Sequence, residues 1–100
     1  MKVYISGKIS GIEREARKEF AKAELLLALN GYEPINPFNL DHDHDNSWEE
    51  YMKVDIEAML KCQAICMLKG WQESEGAKIE HTLASSLGFR VGTIEDFGNN

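Results

Sequence analysis

Residues 64–87 read AICMLKGWQESEGAKIEHTLASSL, and this stretch decides the fold. Ala64 to Leu68 is apolar at every position, the pattern of a central parallel strand buried on both faces. A turn at Lys69-Gly70 leads into a helical repeat. At about 100° per residue, Ala77, Ile79, Leu83, Ala84 and Leu87, with Gly76, share one arc of a helix beginning near Ser74. Glu75, Lys78, His81, Thr82, Ser85 and Ser86 fill the other arc, which puts His81 in solvent. Glu80 breaks the rule. It falls near the middle of the apolar arc, where a carboxylate must be desolvated, paired or used for chemistry. The plainer reading is a misjudged helix phase, or an acid that escapes at the rim of the sheet.

The same exception occurs a second time. Between Ser47 and Cys62, a broad apolar arc holds Trp48, Tyr51, Met52, Val54, Ile56, Ala58, Met59 and Cys62. Glu49, Glu50, Lys53, Glu57 and Lys61 lie opposite, yet Asp55 lands at the centre of the apolar side. Two inward acids on two helices of one small domain point to a shared site.

Outward from these helices the elements alternate as βαβαβαβ. Lys2 to Ile5 is a strand, and Ser6 to Gly11 is a Gly/Ser-rich turn. Ser10 and Glu13 are spaced as a capping box for a helix from about Ile12 to Asn30, with Ala16, Phe20, Ala23 and Leu27 inside and Asn30-Gly31 as the stop. Tyr32 to Ile35 is a strand whose Pro34 favours an edge. A polar loop from Asn36 to Asn46 precedes a second box at Ser47–Glu50, and Phe89 to Ile94 reads as the last strand. Right-handed crossovers then give a parallel sheet with helices on both faces. The expected architecture is a Rossmann-like or flavodoxin-like three-layer α/β/α fold, with four parallel strands in the order 2-1-3-4. Its switch point lies at the carboxyl ends of the first and third strands. The Glu80 helix starts there, with free N–H groups and Ser74 suited to an anion.

Composition narrows the function. One hundred residues make one domain, 1–100, large enough to fold without disulfides or metal. A net charge of -6 argues against a nucleic-acid polymer or an anionic membrane as partner. No apolar run approaches the roughly 18 residues of a membrane span. Met1-Lys2 runs straight into Val3-Tyr4-Ile5, so no signal peptide is expected, and the expected location is the cytoplasm. Cys62 and Cys66 are not a CxxC pair and read as small buried hydrophobes.

Tyr4-Ile5-Ser6-Gly7-Lys8-Ile9-Ser10-Gly11, then Tyr51-Met52-xx-Asp55, then Ser74-Glu75-Gly76-Ala77-xx-Glu80-xxx-Ala84 resemble the nucleoside 2-deoxyribosyltransferase superfamily. The similarity spans Lys2 to about Val91. The resemblance implies an enzyme, a transferase or hydrolase (N-glycosidase), in which Glu80 matches the nucleophile that attacks C1′ of the deoxyribose. Asp55 matches the aspartate that assists proton transfer to the base, and Tyr4 or Tyr51 offers a hydroxyl to keep Glu80 ionised. The turn containing Ser6, Gly7, Lys8, Ile9 and Gly11 would line the nucleoside pocket, with Tyr51, Trp71, Ser74 and Gly76 completing it. Relatives that hydrolyse 5′-monophosphates carry a serine six residues before the nucleophile, as Ser74 stands here, and Lys8 in the opposite turn adds positive charge. Where those relatives carry an arginine in the first turn, this chain has Ser10. The implied partners are a small-molecule nucleoside or nucleotide and a second copy of the chain, as a homodimer or higher homo-oligomer, with no cofactor and no metal.

Other readings stay open. The chain is alternatively a non-catalytic nucleotide-binding module of the same fold, or a metal-binding or structural dimerisation domain. Asp41-His42-Asp43-His44-Asp45 tempts a metal assignment, yet alternating loop ligands without a third fixed partner make a poor closed site, and a solvated loop is expected. Trp71 and Trp48 either wall a base pocket by stacking or cap the sheet edge; for Trp48 the cap is the expectation.

Overall fold

The computed structural model describes residues 1–42 and 47–98. Its elements are β1 (Lys2–Ser6), α1 (Glu13–Leu29), β2 (Glu33–Ile35), α2 (Trp48–Met59), β3 (Ala64–Met67), α3 (Glu75–Ser86), β4 (Arg90–Gly92) and α4 (Ile94–Gly98). The sheet has four parallel strands in the order β2-β1-β3-β4. Pro34 pairs with Val3 on an edge strand, where its missing N–H costs no ladder bond. Every residue of β3 is buried between its two neighbours and the two helical layers.

The alternation of β1 sorts the core. Val3 and Ile5 face Phe20 and Leu27 of α1 and Phe97 of α4, joined there by Ala64 and Cys66. Tyr4, with Ile65 and Met67, faces the other way, toward Met59 at the end of α2 and Ala77 and Ala84 of α3. The result is three layers, α1 and α4 on one face and α2 and α3 on the other. Helix α1 ends as the Asn30-Gly31 pair requires. Gly31 takes φ +88, its N–H reaches Ala28 O, and Tyr32 N–H reaches Leu27 O at 3.0 Å.

Several local expectations change. Ser10 does not cap α1. Ile12 takes that position without a side-chain bond, and the box does not form: Glu13 Oε2 accepts from Gly11 N–H at 3.2 Å. Gly11, at φ +84, turns the chain and leaves Ser10 out of register. The box at Ser47 does form its hydroxyl half, Ser47 Oγ accepting from Glu50 N–H. The last strand is shorter than Phe89 to Ile94, because Thr93 opens α4 with a reciprocal cap. Thr93 N–H donates to Asp96 Oδ2 at 2.8 Å and Asp96 N–H to Thr93 Oγ1 at 3.4 Å, a turn that buries Phe97. On α3 the buried stripe is Ala77, Glu80 and Ala84, while Ile79 and Leu87 are exposed. The sheet covers a narrower arc than the apolar residues span, and Glu80 lies at its centre.

Cys62 and Cys66 are buried free thiols, pushed up by burial to about 11 and about 12. Among the described residues, no helix is long and apolar enough to cross a membrane.

Candidate active site

Glu80 is 5% exposed, one of the few buried polar side chains among the described residues. It is held from β1: Tyr4 Oη donates to its Oε2 at 2.8 Å and Ser6 Oγ to its Oε1 at 2.7 Å. The period of two along β1 puts both hydroxyls on the α3 side. Burial is the larger influence on this acid and raises it from 4.5 to about 7, against the lowering hydrogen bonds from Ser6 and Tyr4 and with a further push from the charge of Asp55. Tyr4 is itself raised well above its ordinary value, chiefly by burial and then by the charge of Glu80, so it serves as a proton-bearing donor. The hydroxyl partner expected from Tyr4 or Tyr51 is therefore Tyr4, joined by Ser6.

A cavity of about 630 Å³ opens over this group at the carboxyl end of β1, walled by α1, the segment after β2, α2 and the start of α3, within the size range of small-ligand sites. Asp55 enters it from α2. Its carboxylate meets His42 Nε2 at 2.7 Å, both side chains 13% exposed, and the imidazole stacks on Tyr51 with ring centroids 4.5 Å apart. Burial raises Asp55, and the hydrogen bond and charge of His42 pull it back down. Glu80 and Asp55, two carboxyl groups from different helices, thus face one space and influence each other electrostatically.

Of the other residues singled out from sequence, Tyr4, Ser6, Gly7, Ile9, Tyr51, Ser74 and Gly76 lie in the cavity wall. Ser74 caps α3, its Oγ accepting from Ala77 N–H at 3.1 Å, which leaves its O–H to donate into the cavity. The bare Cα of Gly76 lets that first turn approach α2, where a Cβ would meet Met52 Sδ at 3.0 Å. Lys8 stands outside the main cavity. It lines a shallower depression at the mouth, which shares Ser10, Trp48, Ser74 and Gly76 with the cavity, and it pairs with Glu73 at 3.5 Å. Gly11 and Trp71 are not in the wall. Gly11 serves the turn into α1, and Trp71 packs half-buried against the α3 face with His81 stacked on it at 4.3 Å. His81 is consequently half-buried, not solvated.

Among the wall residues outside the expected site are His42, Arg17 and Trp48. His42 belongs to the acidic-histidine stretch expected to be a solvated loop, of which Asp43, His44 and Asp45 lie outside the described residues. Only the distance to Asp55 reveals His42. Arg17 lies over the Phe38 ring at 4.6 Å and reaches the cavity from α1. Its position three residues before buried Phe20, on the flank of the inner stripe, is the signal that could have shown it. Trp48, expected as a cap on the sheet edge, stands in the wall of both the cavity and the mouth. Among the described residues, no group of three or more His, Cys, Asp or Glu side chains is placed to hold a metal ion.

The fold is shared with two solved structures. It is similar to a 2-deoxyribosyltransferase from Bacillus psychrosaccharolyticus, with TM-score 0.71 and 23% identity, covering 91% of this chain and 69% of that one. It is also similar to a CMP N-glycosidase from Clostridium botulinum, with TM-score 0.63 and 23% identity, covering 91% of this chain and 66% of that one. At this identity the likeness establishes the fold. The chain belongs to the family described as a domain of unknown function (DUF4406), whose model matches residues 1–93. A search of curated proteins finds no match.

Proposed function

We propose that this protein cleaves or transfers the N-glycosidic bond of a 2′-deoxynucleoside or its 5′-monophosphate, through a covalent deoxyribosyl intermediate on Glu80. The observation that carries this reading is the buried Glu80 carboxyl gripped at both oxygens by Tyr4 and Ser6. Such a group is costly to bury and is oriented toward a ligand-sized cavity.

In the first step a Glu80 oxygen attacks C1′ as the C1′–N bond breaks. The bonding pair leaves on the base, which takes a proton from Asp55. Water, or a second base, then attacks C1′ and releases Glu80, and Asp55 recovers the proton from the incoming nucleophile. One proton shared by the two acids must sit on Asp55 when attack begins. In the empty site, burial favours it on the deeper Glu80. The two hydroxyl donors to Glu80 oppose that, and a bound base that shuts water away from Asp55 raises the outer acid.

The 5′-monophosphate arm rests on the mouth, where the Ser74 O–H, the first N–H groups of α3 and Lys8 converge. The sequence resemblance implies a homo-oligomer joined through α3 or its neighbouring helix, and pairing through α3 would also cover Ile79 and Leu87, 42% and 55% exposed. Light scattering reads that assembly directly.

The deciding experiment incubates the protein with a panel of 2′-deoxynucleosides and their 5′-monophosphates and measures free base. Release by wild type and none by Glu80→Ala is the expected result. Equal silence from both would sink the enzymatic reading, and thermal stabilisation by a nucleotide without base release would leave a binding module.

A further inference from the structure

The geometry points to His42 as the positioning residue for the acid: its imidazole fixes the Asp55 carboxyl, so that one oxygen is occupied and the other is presented to the leaving base. This inference rests on the reaction proposed above and assigns a part of it to a residue outside the motifs that suggested it.

Three observations support the assignment. His42 Nε2 lies 2.7 Å from Asp55 Oδ1, a charge-assisted distance, with both side chains largely withdrawn from water. The imidazole is fixed from a second direction by its stack on Tyr51, with an interplanar angle of 19°. Both partners and Tyr51 line the same cavity as Glu80. A histidine in a solvated loop would satisfy none of these. With Oδ1 held by the imidazole, Oδ2 is the oxygen left to a ligand.

The proton inventory is simple. Nε2 carries its hydrogen and donates it to Oδ1 throughout. The mobile proton resides on Oδ2, passes to the base nitrogen as the C1′–N pair departs, and returns from the water or second base that resolves the Glu80 ester. The carboxylate formed at Asp55 is therefore stabilised by a donor already in place. Among the described residues, the other titratable or charged groups lining the cavity with the pair are Glu80 from α3, Tyr4 from β1, Tyr51 from α2, and Glu13 and Arg17 from α1. Because His42 pulls Asp55 downward, its removal keeps Asp55 protonated to higher pH. The alkaline limb of the rate profile then moves up. The acidic limb, set by ionisation of Glu80, stays where it is, since Ser6, Tyr4 and Asp55 and not His42 act on that group.

The test compares wild type, His42→Ala, His42→Gln and Glu80→Ala on the substrate that releases most base, with kcat, KM and pH profile for each and a melting temperature as a check on folding. Proton delivery as a whole is worth roughly 10²–10⁴-fold, so loss of orientation alone in His42→Ala is expected to lower kcat roughly ten- to a hundredfold. KM should stay within about twofold and the alkaline limb should shift up. The Gln side chain retains an N–H for Oδ1 and should restore kcat to within about threefold of wild type, with the limb still displaced upward because the charge is lost. A His42→Ala enzyme with wild-type kcat and limbs overturns the inference while base release by wild type keeps the parent reaction. A loss confined to KM does the same, as does a Gln variant no better than Ala. If His42→Ala fails to fold, the limb of the Gln variant decides: displaced with kcat retained supports the role, unmoved overturns it. Silence from wild type and Glu80→Ala alike removes reaction and inference together.

Discussion

One strand serves two chemically opposite faces. The side chains of Val3 and Ile5 enter a layer of Phe20, Leu27 and Phe97, packed as an apolar core. Tyr4 and Ser6, their neighbours in sequence, turn to the other layer and hold a buried acid. Both faces are equally closed to water at β1, with these residues at most 1% exposed. The difference lies in what burial does on each side. On the α1 face it stabilises the protein. On the α3 face it opposes the ionisation of an acid.

The largest contrast comes from Glu80→Gln. Base release should fall roughly 10³-fold or more, since a neutral amide is no nucleophile. Stability should move the other way. The folded protein holds the Glu80 proton up to about 7 against 4.5 ordinarily, so the wild type binds more protons than its unfolded chain between these values. Its stability is thus unpenalised below about 4.5 and declines as pH rises through 7, by about 3 kcal/mol once the carboxyl is fully ionised. The variant lacks this decline. Melting curves should match near pH 4.5 and separate by about 3 kcal/mol, roughly 15 °C, at pH 8 in favour of the variant. Parallel curves at both pH values would mean that burial does not oppose the ionisation of Glu80.

Leu27→Ala is the mirror experiment on the apolar face. Leu27 is 1% exposed and outside the cavity wall, so truncation should cost about 2–5 kcal/mol by denaturant titration. The kcat of the folded fraction should not change. A kcat loss exceeding about threefold would show that the two faces are coupled.

Tyr4→Phe divides the polar face more finely. It removes one donor from Glu80 and keeps the ring in the core. Glu80 then rises further, and the acidic limb of the rate profile moves to higher pH. At pH 7 the rate should drop roughly five- to tenfold, with about 1–2 kcal/mol lost in stability. An unmoved limb would remove Tyr4 from the electrostatics of the acid.

The unequal legibility of the sequence follows from the same division. Strand order was readable because Pro34 and the all-apolar Ala64 to Leu68 carry their constraint locally. The inward turn of Glu80 was readable because helical periodicity is a property of one segment. What failed to show was held by contacts between distant segments. His42 meets Asp55 across thirteen residues, and Ser6 meets Glu80 across more than seventy; no spacing rule encodes such pairs. Trp48 and Trp71 exchanged their expected places because a large aromatic on a helix flank fits either a wall or a core, and only packing decides. Helix α4 is a different case. Thr93-Ile94-Glu95-Asp96 carried a readable cap, masked by the β-like run of Phe89 to Ile94 before it.

The smallest effect is expected at the mouth, and it sharpens what the polar face is for. Lys8 and Glu73 form a partly exposed pair at 3.5 Å, with side chains 32% and 72% exposed, so Lys8→Ala should change stability by less than about 0.5 kcal/mol. Its consequence is selective. A 5′-phosphate entering past Ser74 would draw Lys8 away from Glu73, exchanging a solvent-screened carboxylate for a doubly charged ligand beside the α3 N-terminus. KM for a 5′-monophosphate should therefore rise roughly three- to tenfold in Lys8→Ala, and more at low salt than at high. KM for the free deoxynucleoside should stay the same, because nothing of that ligand reaches the mouth. If both KM values rise together, or neither does, the phosphate has no seat at Lys8 and the polar face ends at the sugar.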